Sequence, residues 1–88
     1  MTRRYRVTGV VQGVGFRYFV RGLARRCCVE GWVRNAPDGS VEAVAAGERD
    51  SLDIFESELR RGPELSRVES VDVAEAPEEE ISGFEVRR

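Results

Sequence analysis

The chain has 88 residues, with 14 Arg, no Lys, no His and 16 acidic residues, for a net charge of −2. That length holds one modest core, so a single domain over residues 1–88 is expected. No apolar run approaches the ~20 residues of a membrane span, no signal peptide opens the chain, and 41% hydrophobic content in regular patterns argues against disorder.

In chain order, Arg4 to Val10 alternates, with Tyr5 and Val7 on one face, and reads as a strand. Residues 10–17 hold Gly13 and Gly15 and read as a loop. Phe16, Phe19, Val20, Leu23, Ala24 and Cys27 then recur at helical spacing. Arg21, Arg25 and Arg26 fall on the opposite, solvated side. Gly31 to Asn35 reads as a second strand, Ala36-Pro37-Asp38-Gly39-Ser40 as a turn, and Val41 to Ala46 as a third strand closing a hairpin. Asp50 or Ser51 is the expected cap of a second helix, with Leu52, Phe55 and Leu59 as its apolar stripe and Gly62-Pro63 as its stop. Val68, Val71 and Val73 mark a fourth strand, with a bulge between 68 and 71. An acidic loop follows over 76–80, and Ile81 to Val86 reads as a short last strand. This order, β-α-β-β-α-β with a terminal fifth strand, is the ferredoxin-like α+β pattern: two helices on one face of an antiparallel or mixed sheet.

The charge is unevenly distributed. Residues 1–35 carry eight Arg against one acid, Glu30, and residues 36–88 carry six Arg against fifteen acids. The basic half contains the glycine loop, which fits an anionic ligand unless the two halves interleave in space. Cys27 lies on the apolar helical face and reads as a small buried hydrophobe, with Cys28 exposed beside it. Without His, two cysteines do not complete an ordinary structural zinc site.

Strand, glycine loop and amphipathic helix in succession suit an anion cradle of freed backbone N–H groups at a helix N-terminus. Thr8-Gly9-x-x-x-Gly13-x-Gly15 also fits a dinucleotide fingerprint, but the hairpin after the first helix and the missing acid ~20 residues past the glycines argue against one. Arg17 is the telling residue. A cation in the first turn opposes the helix dipole by ~0.3–1 kcal/mol, which an anion sharing the site would offset. Asn35, the sole Asn of the chain, sits at the end of the second strand, and Gln12 is the sole Gln.

With these residues in hand, the chain resembles the acylphosphatase family. Gly9-x-Val11-Gln12-Gly13-Val14-Gly15-Phe16-Arg17 and Gly31-Trp32-Val33-Arg34-Asn35-x-x-Asp38-Gly39-x-Val41-Glu42 match its two signature blocks, and the similarity runs the whole length. The resemblance implies a ferredoxin-like fold and hydrolysis of a small-molecule acyl phosphate to carboxylate and phosphate, with neither a metal nor an organic cofactor. It makes Arg17 the phosphate-binding arginine and Asn35 the residue that orients the attacking water. It assigns the backbone of Gly13, Val14, Gly15, Phe16 and Arg17 to the phosphate cradle. Family members commonly carry Gly where this chain has Cys28, which implies strain at the end of the first helix.

The chemistry agrees with so spare a site. An acyl phosphate expels a carboxylate whose conjugate acid has a pKa of about 4, so no general acid is required. An alkyl ester would release an alkoxide, closer to water at ~15.7. A cytoplasmic monomer is expected, without membrane or nucleic-acid partners. The alternatives are a non-catalytic phosphate-binding module of the same fold, as in domains fused into larger carbamoyl-transfer maturation proteins, and nucleic-acid binding through the basic half, for which stacking aromatics on the central strands are not evident.

Overall fold

A computed structural model describes the whole chain, Met1 to Arg88, as β1 (Thr2–Val10), α1 (Phe16–Cys27), β2 (Glu30–Asn35), β3 (Val41–Ala46), α2 (Arg49–Arg61), β4 (Arg67–Glu75) and β5 (Phe84–Arg87). The five strands form one sheet in the order β4-β1-β3-β2-β5. β1 and β2 both run antiparallel to β3, and β5 joins β2 in parallel, so the sheet is mixed. This is the expected ferredoxin-like α+β architecture. Neither helix is long and apolar enough to cross a membrane.

The two-residue period of the strands sorts the faces. Tyr5 and Val7 of β1, Val33 of β2 and Val41, Ala43 and Ala45 of β3 point toward the helices. There they meet Phe16, Val20, Leu23 and Ala24 of α1 and Leu52, Phe55 and Leu59 of α2 in one buried core. Phe55 links the layers through tilted ring contacts to Tyr5 at 5.4 Å and Phe84 at 6.2 Å. The Tyr5 hydroxyl is buried there without a hydrogen-bond partner, and burial pushes the phenol up to about 12 against the opposing pull of Arg3. On the other face Trp32 and Val44, paired across β2 and β3, are also buried, with the Arg87 guanidinium 4.7 Å above the indole.

The bulge foreseen in the fourth strand is present: Thr8 pairs with Ser70 but Gly9 with Val68, leaving Glu69 as the extra residue. β1 and β2 begin slightly ahead of the sequence reading, at Thr2 and Glu30, and two further boundaries differ. α2 begins at Arg49 with Glu48 as its cap residue, rather than at Asp50 or Ser51, and no side-chain oxygen caps it. The backbone turns extended at Glu48 as the chain leaves β3, and that fixes the start of the helix ahead of the better capping residues. β5 begins only at Phe84, because the chain must first reach the free edge of β2. That approach is pinned by Gly31 N–H donating to the Gly83 carbonyl at 2.9 Å and Gly83 N–H donating to the Glu30 carboxylate at 3.1 Å.

The charged halves do interleave. Arg3 pairs with Asp53, Arg6 with Asp38 and Asp72, and Arg34 with Glu42. These contacts tie the basic N-terminal strands to the acidic remainder. The ion pairs do not involve Arg17, Arg21, Arg25 or Arg26, so α1 carries the largest group of unpaired arginines, with Arg4, Arg49, Arg67 and Arg88 unpaired elsewhere.

Cys27 is half-buried against the core, and burial raises its thiol pKa. Cys28 is exposed and ends α1 in the left-handed conformation, with φ 57° and ψ 41°. It is the only non-glycine residue with positive φ. That conformation costs an L-residue roughly 1–2 kcal/mol, part of which glycine would return as unfolded-state entropy. Cys28→Gly is therefore expected to stabilise the fold by about 0.5–1 kcal/mol, seen as a higher urea midpoint. A lower midpoint would show that contacts of the Cys28 side chain outweigh the strain.

Candidate active site

Because β1 and β2 are each antiparallel to β3, they are parallel to one another, and their C-terminal ends lie at the same end of the sheet. The loop leaving β1 and the last residue of β2 are thereby neighbours, although β3 separates the strands. Alternation along β2 puts Asn35 on the face of Val33, the side against which the helices pack.

The loop enters α1 through two left-handed glycines, Gly13 at φ 76° and Gly15 at φ 77°. A side chain at either would be strained by the backbone alone. A Cβ built at either would meet nothing within 4 Å, so both face open space. Gly15 is the N-cap residue of α1, offers no side-chain cap, and no acid sits in the first turn. The first intrahelical bond runs from Phe19 N–H to the Gly15 carbonyl at 3.1 Å. The amides of Phe16, Arg17 and Tyr18 precede it, so they lack intrahelical acceptors and carry the positive end of the helix dipole. Val11, 1% exposed, and Phe16, 2% exposed, fasten the two ends of the loop into the core.

These features surround one pocket of about 130 Å³, lined by Val11, Gly13, Gly15, Phe16, Arg17, Tyr18 and Asn35. Of the residues singled out from the sequence, Gly13, Gly15, Phe16, Arg17 and Asn35 come together there. Val14 does not line it; its side chain packs against the core, leaving only its backbone to the loop. A second cavity, of about 270 Å³ between Met1, Thr2, Glu75, Ala76 and Glu78, lies outside the motif residues and is lined by two carboxylates. Side chains able to ligate a metal do not gather in groups of three or more.

Three participants escaped the sequence reading of the site. Val11 forms part of the pocket wall. Tyr18 stands at the mouth, 59% exposed, with the Arg21 guanidinium 5.1 Å from its ring centre. An aromatic residue off the apolar stripe, beside a glycine loop, is the signal that marks it. Gln12 reaches out of the loop to the turn that follows Asn35; the sequence marked it as the sole Gln and as part of the first signature block, without assigning it a role.

That turn is held by Asp38. Its carboxylate accepts from the Ser40 hydroxyl at 2.6 Å, from the Ser40 N–H at 3.0 Å and from Arg6. The Ser40 hydroxyl, then Arg6 and the Ser40 amide, hold the carboxyl well below the usual carboxylate range. A depressed folded pKa contributes stability above the unfolded value of about 3.9, lost as pH falls through that value toward the folded one. Asp38→Asn is therefore expected to lower stability at pH 7 and to flatten its decline below about pH 4, checked by urea unfolding across pH. An unchanged acid slope would show that the carboxylate contributes nothing to the turn.

Comparison with known proteins follows the same residues. The family model described as Acylphosphatase matches residues 3–86. An acylphosphatase of Koribacter versatilis is 50% identical over 86 residues, covering 97% of this chain and 78% of that one. The crystal structure of acylphosphatase from Bacillus subtilis superposes with a TM-score of 0.94 at 38% identity, over 99% of this chain and 98% of that one. Full-length HypF, in its phosphate- and nucleotide-bound form, matches 99% of this chain with only 12% of its own, at 31% identity and a TM-score of 0.87.

Proposed function

The chain belongs to the acylphosphatase family of hydrolases, and from that premise we propose that it cleaves acyl phosphates by direct attack of water, with Arg17 binding the phosphoryl group and Asn35 placing the water. The observation that carries this reading is the convergence of Gly13, Gly15, Arg17 and Asn35, from two non-adjacent strands, on one pocket.

The phosphoryl oxygens sit among the outward-facing loop and first-turn amides. Arg17, free of ion pairs, supplies a planar fork of donors matched to two of those oxygens. Charge spread over the equatorial oxygens in the transition state is met by dipoles already oriented, which is where electrostatic stabilisation is largest. The Asn35 amide oxygen accepts a hydrogen bond from water and holds it opposite the acyl oxygen. As the water oxygen bonds to phosphorus, the bond to the acyl oxygen breaks and a carboxylate leaves with its electron pair. The water proton passes to a phosphoryl oxygen. Asn35 does not ionise, and no general acid is required because the leaving carboxylate is already stable as an anion.

The reading also has the protein working as a monomer in the cytoplasm, without nucleic-acid partners. Free Cys27 and Cys28 suit a reducing compartment. The exposed apolar side chains Met1, Val10, Tyr18, Ile54, Leu65 and Val73 are dispersed over different segments of the chain. The aromatics of the central strands, Tyr5 and Trp32, are buried and offer no stacking platform. The second reading is a phosphate-binding module that does not turn over substrate; a small part of HypF, a larger protein solved in a phosphate- and nucleotide-bound form, has the same fold.

Hydrolysis of benzoyl phosphate separates the two readings, and running it with and without chelator tests the metal-free chemistry. Arg17→Ala is expected to lower kcat/KM by ~10²–10³-fold with weakened phosphate binding. Asn35→Ala is expected to lower kcat by about 10²-fold with KM little changed. Full turnover by Asn35→Ala would overturn its role. Inactivity of the unmodified protein would leave the binding module as the better reading.

A further inference from the structure

The two parts of the pocket sit on different strands, and the backbone does not join them directly. β1, which feeds the cradle, and β2, which ends in Asn35, each pair with β3 rather than with each other. The cradle then leaves the sheet after Val10, beyond the reach of any strand ladder. Arg6 on β1 reaches the turn through Asp38, but from the loop itself one side chain crosses the gap. Gln12, immediately before Gly13, donates from Nε2 to the Ala36 carbonyl and to the Ser40 carbonyl, each at 2.9 Å. Both acceptors are carbonyl oxygens, so the amide nitrogen must face them and both of its protons are committed.

The two acceptors are the hinge points of the turn. Ala36 follows Asn35, and Ser40 precedes Val41, the strand partner of Asn35. The same carbonyls close the turn on itself, the Ser40 oxygen accepting from Ala36 N–H at 2.8 Å and the Ala36 oxygen from Gly39 N–H at 3.2 Å. Gln12 thus grips both ends of a turn that is already internally bonded, and ties that turn as a unit to the cradle. It does not line the pocket. It is also the only side chain of the loop between β1 and α1 with a hydrogen bond to this turn.

We propose that Gln12 is a positioning residue for the hydrolysis: it fixes the separation and bearing between the phosphate cradle and Asn35, so that the water held by Asn35 lies in line with the bond to be broken. The inference rests on the water-placing role of Asn35. An in-line displacement is sensitive to placement, and a displacement of 1 Å costs ~10²-fold in rate while leaving the phosphate contacts intact.

The test is a double-mutant cycle on the full chain, with benzoyl phosphate turnover, competitive inhibition by inorganic phosphate and urea unfolding measured for each variant. Gln12→Ala is expected to lower kcat by about 10- to 100-fold with the inhibition constant for phosphate changed by less than about threefold. On an Asn35→Ala background the same change is expected to cost less than about twofold more, because there is no longer a placed water to misplace. If Gln12→Ala does not fold, Gln12→Asn, which keeps the amide but is one methylene short, enters the cycle with the same expectations. Unchanged kcat, an equal loss of phosphate affinity, or a loss repeated in full on the Asn35→Ala background would overturn the proposal. An Asn35→Ala protein with full kcat would instead overturn the role of Asn35 on which it rests.

Discussion

Two left-handed glycines set the conditions for everything at the pocket. With φ near +76° at Gly13 and Gly15, the chain turns from β1 into α1 within five residues, with open space where a side chain would stand at either glycine. An L-residue there would carry a backbone penalty and put a Cβ into the space an anion needs. The turn holds its shape because it is tethered in the core at both ends, by Val11 and Phe16, and those tethers depend on the helices packing against the inward face of the sheet. Core packing and the proposed anion binding are therefore one problem in this fold: loosening the contacts of Phe16 would move the amides.

Electrostatics follow from the same arrangement. A helix N-terminus with no acidic residue and no side-chain cap is a poor end for an isolated helix, and Arg17 in its first turn makes it poorer. Elsewhere Arg3 and Arg6 of β1 and Arg34 of β2 are answered by carboxylates from α2, the hairpin turn and a neighbouring strand. Positive charge is left uncompensated along α1. Such local inconsistency is characteristic of functional sites, where a bound group resolves what the fold leaves unresolved.

The chemistry asks little of the side chains because the substrate class carries its own leaving group. Proton transfer is not the difficulty in cleaving an acyl phosphate; stabilising charge on the phosphoryl oxygens and placing the water are. In the proposed mechanism the backbone amides and Arg17 serve the first, and Asn35 the second. A protein without a single His or Lys is thereby no worse equipped for this reaction, though it would be poorly equipped to cleave an alkyl ester.

Much of this was legible in the sequence because it is encoded in near-neighbour patterns. Alternation fixed the inward face of β1, helical spacing fixed the buried stripes of both helices, the turn residues fixed the hairpin, and the family resemblance marked Cys28 as strained. Arg17 and Asn35 stood out by residue type and place. Other features arose only from contacts between distant segments, which no local period records. The start of α2 was decided by how the chain leaves β3, not by capping preference. Pairing of Arg3 with Asp53 and Arg6 with Asp38 dissolved an asymmetry that looked like a basic half. Val11 and Tyr18 became pocket walls, and Gln12 became the tie between cradle and turn, only when the parallel sense of β1 and β2 brought their ends together. The sequence determined which groups could bind a phosphate, since backbone freedom and charge are local properties. Their distance from Asn35 was a tertiary decision, because it is set across an intervening strand.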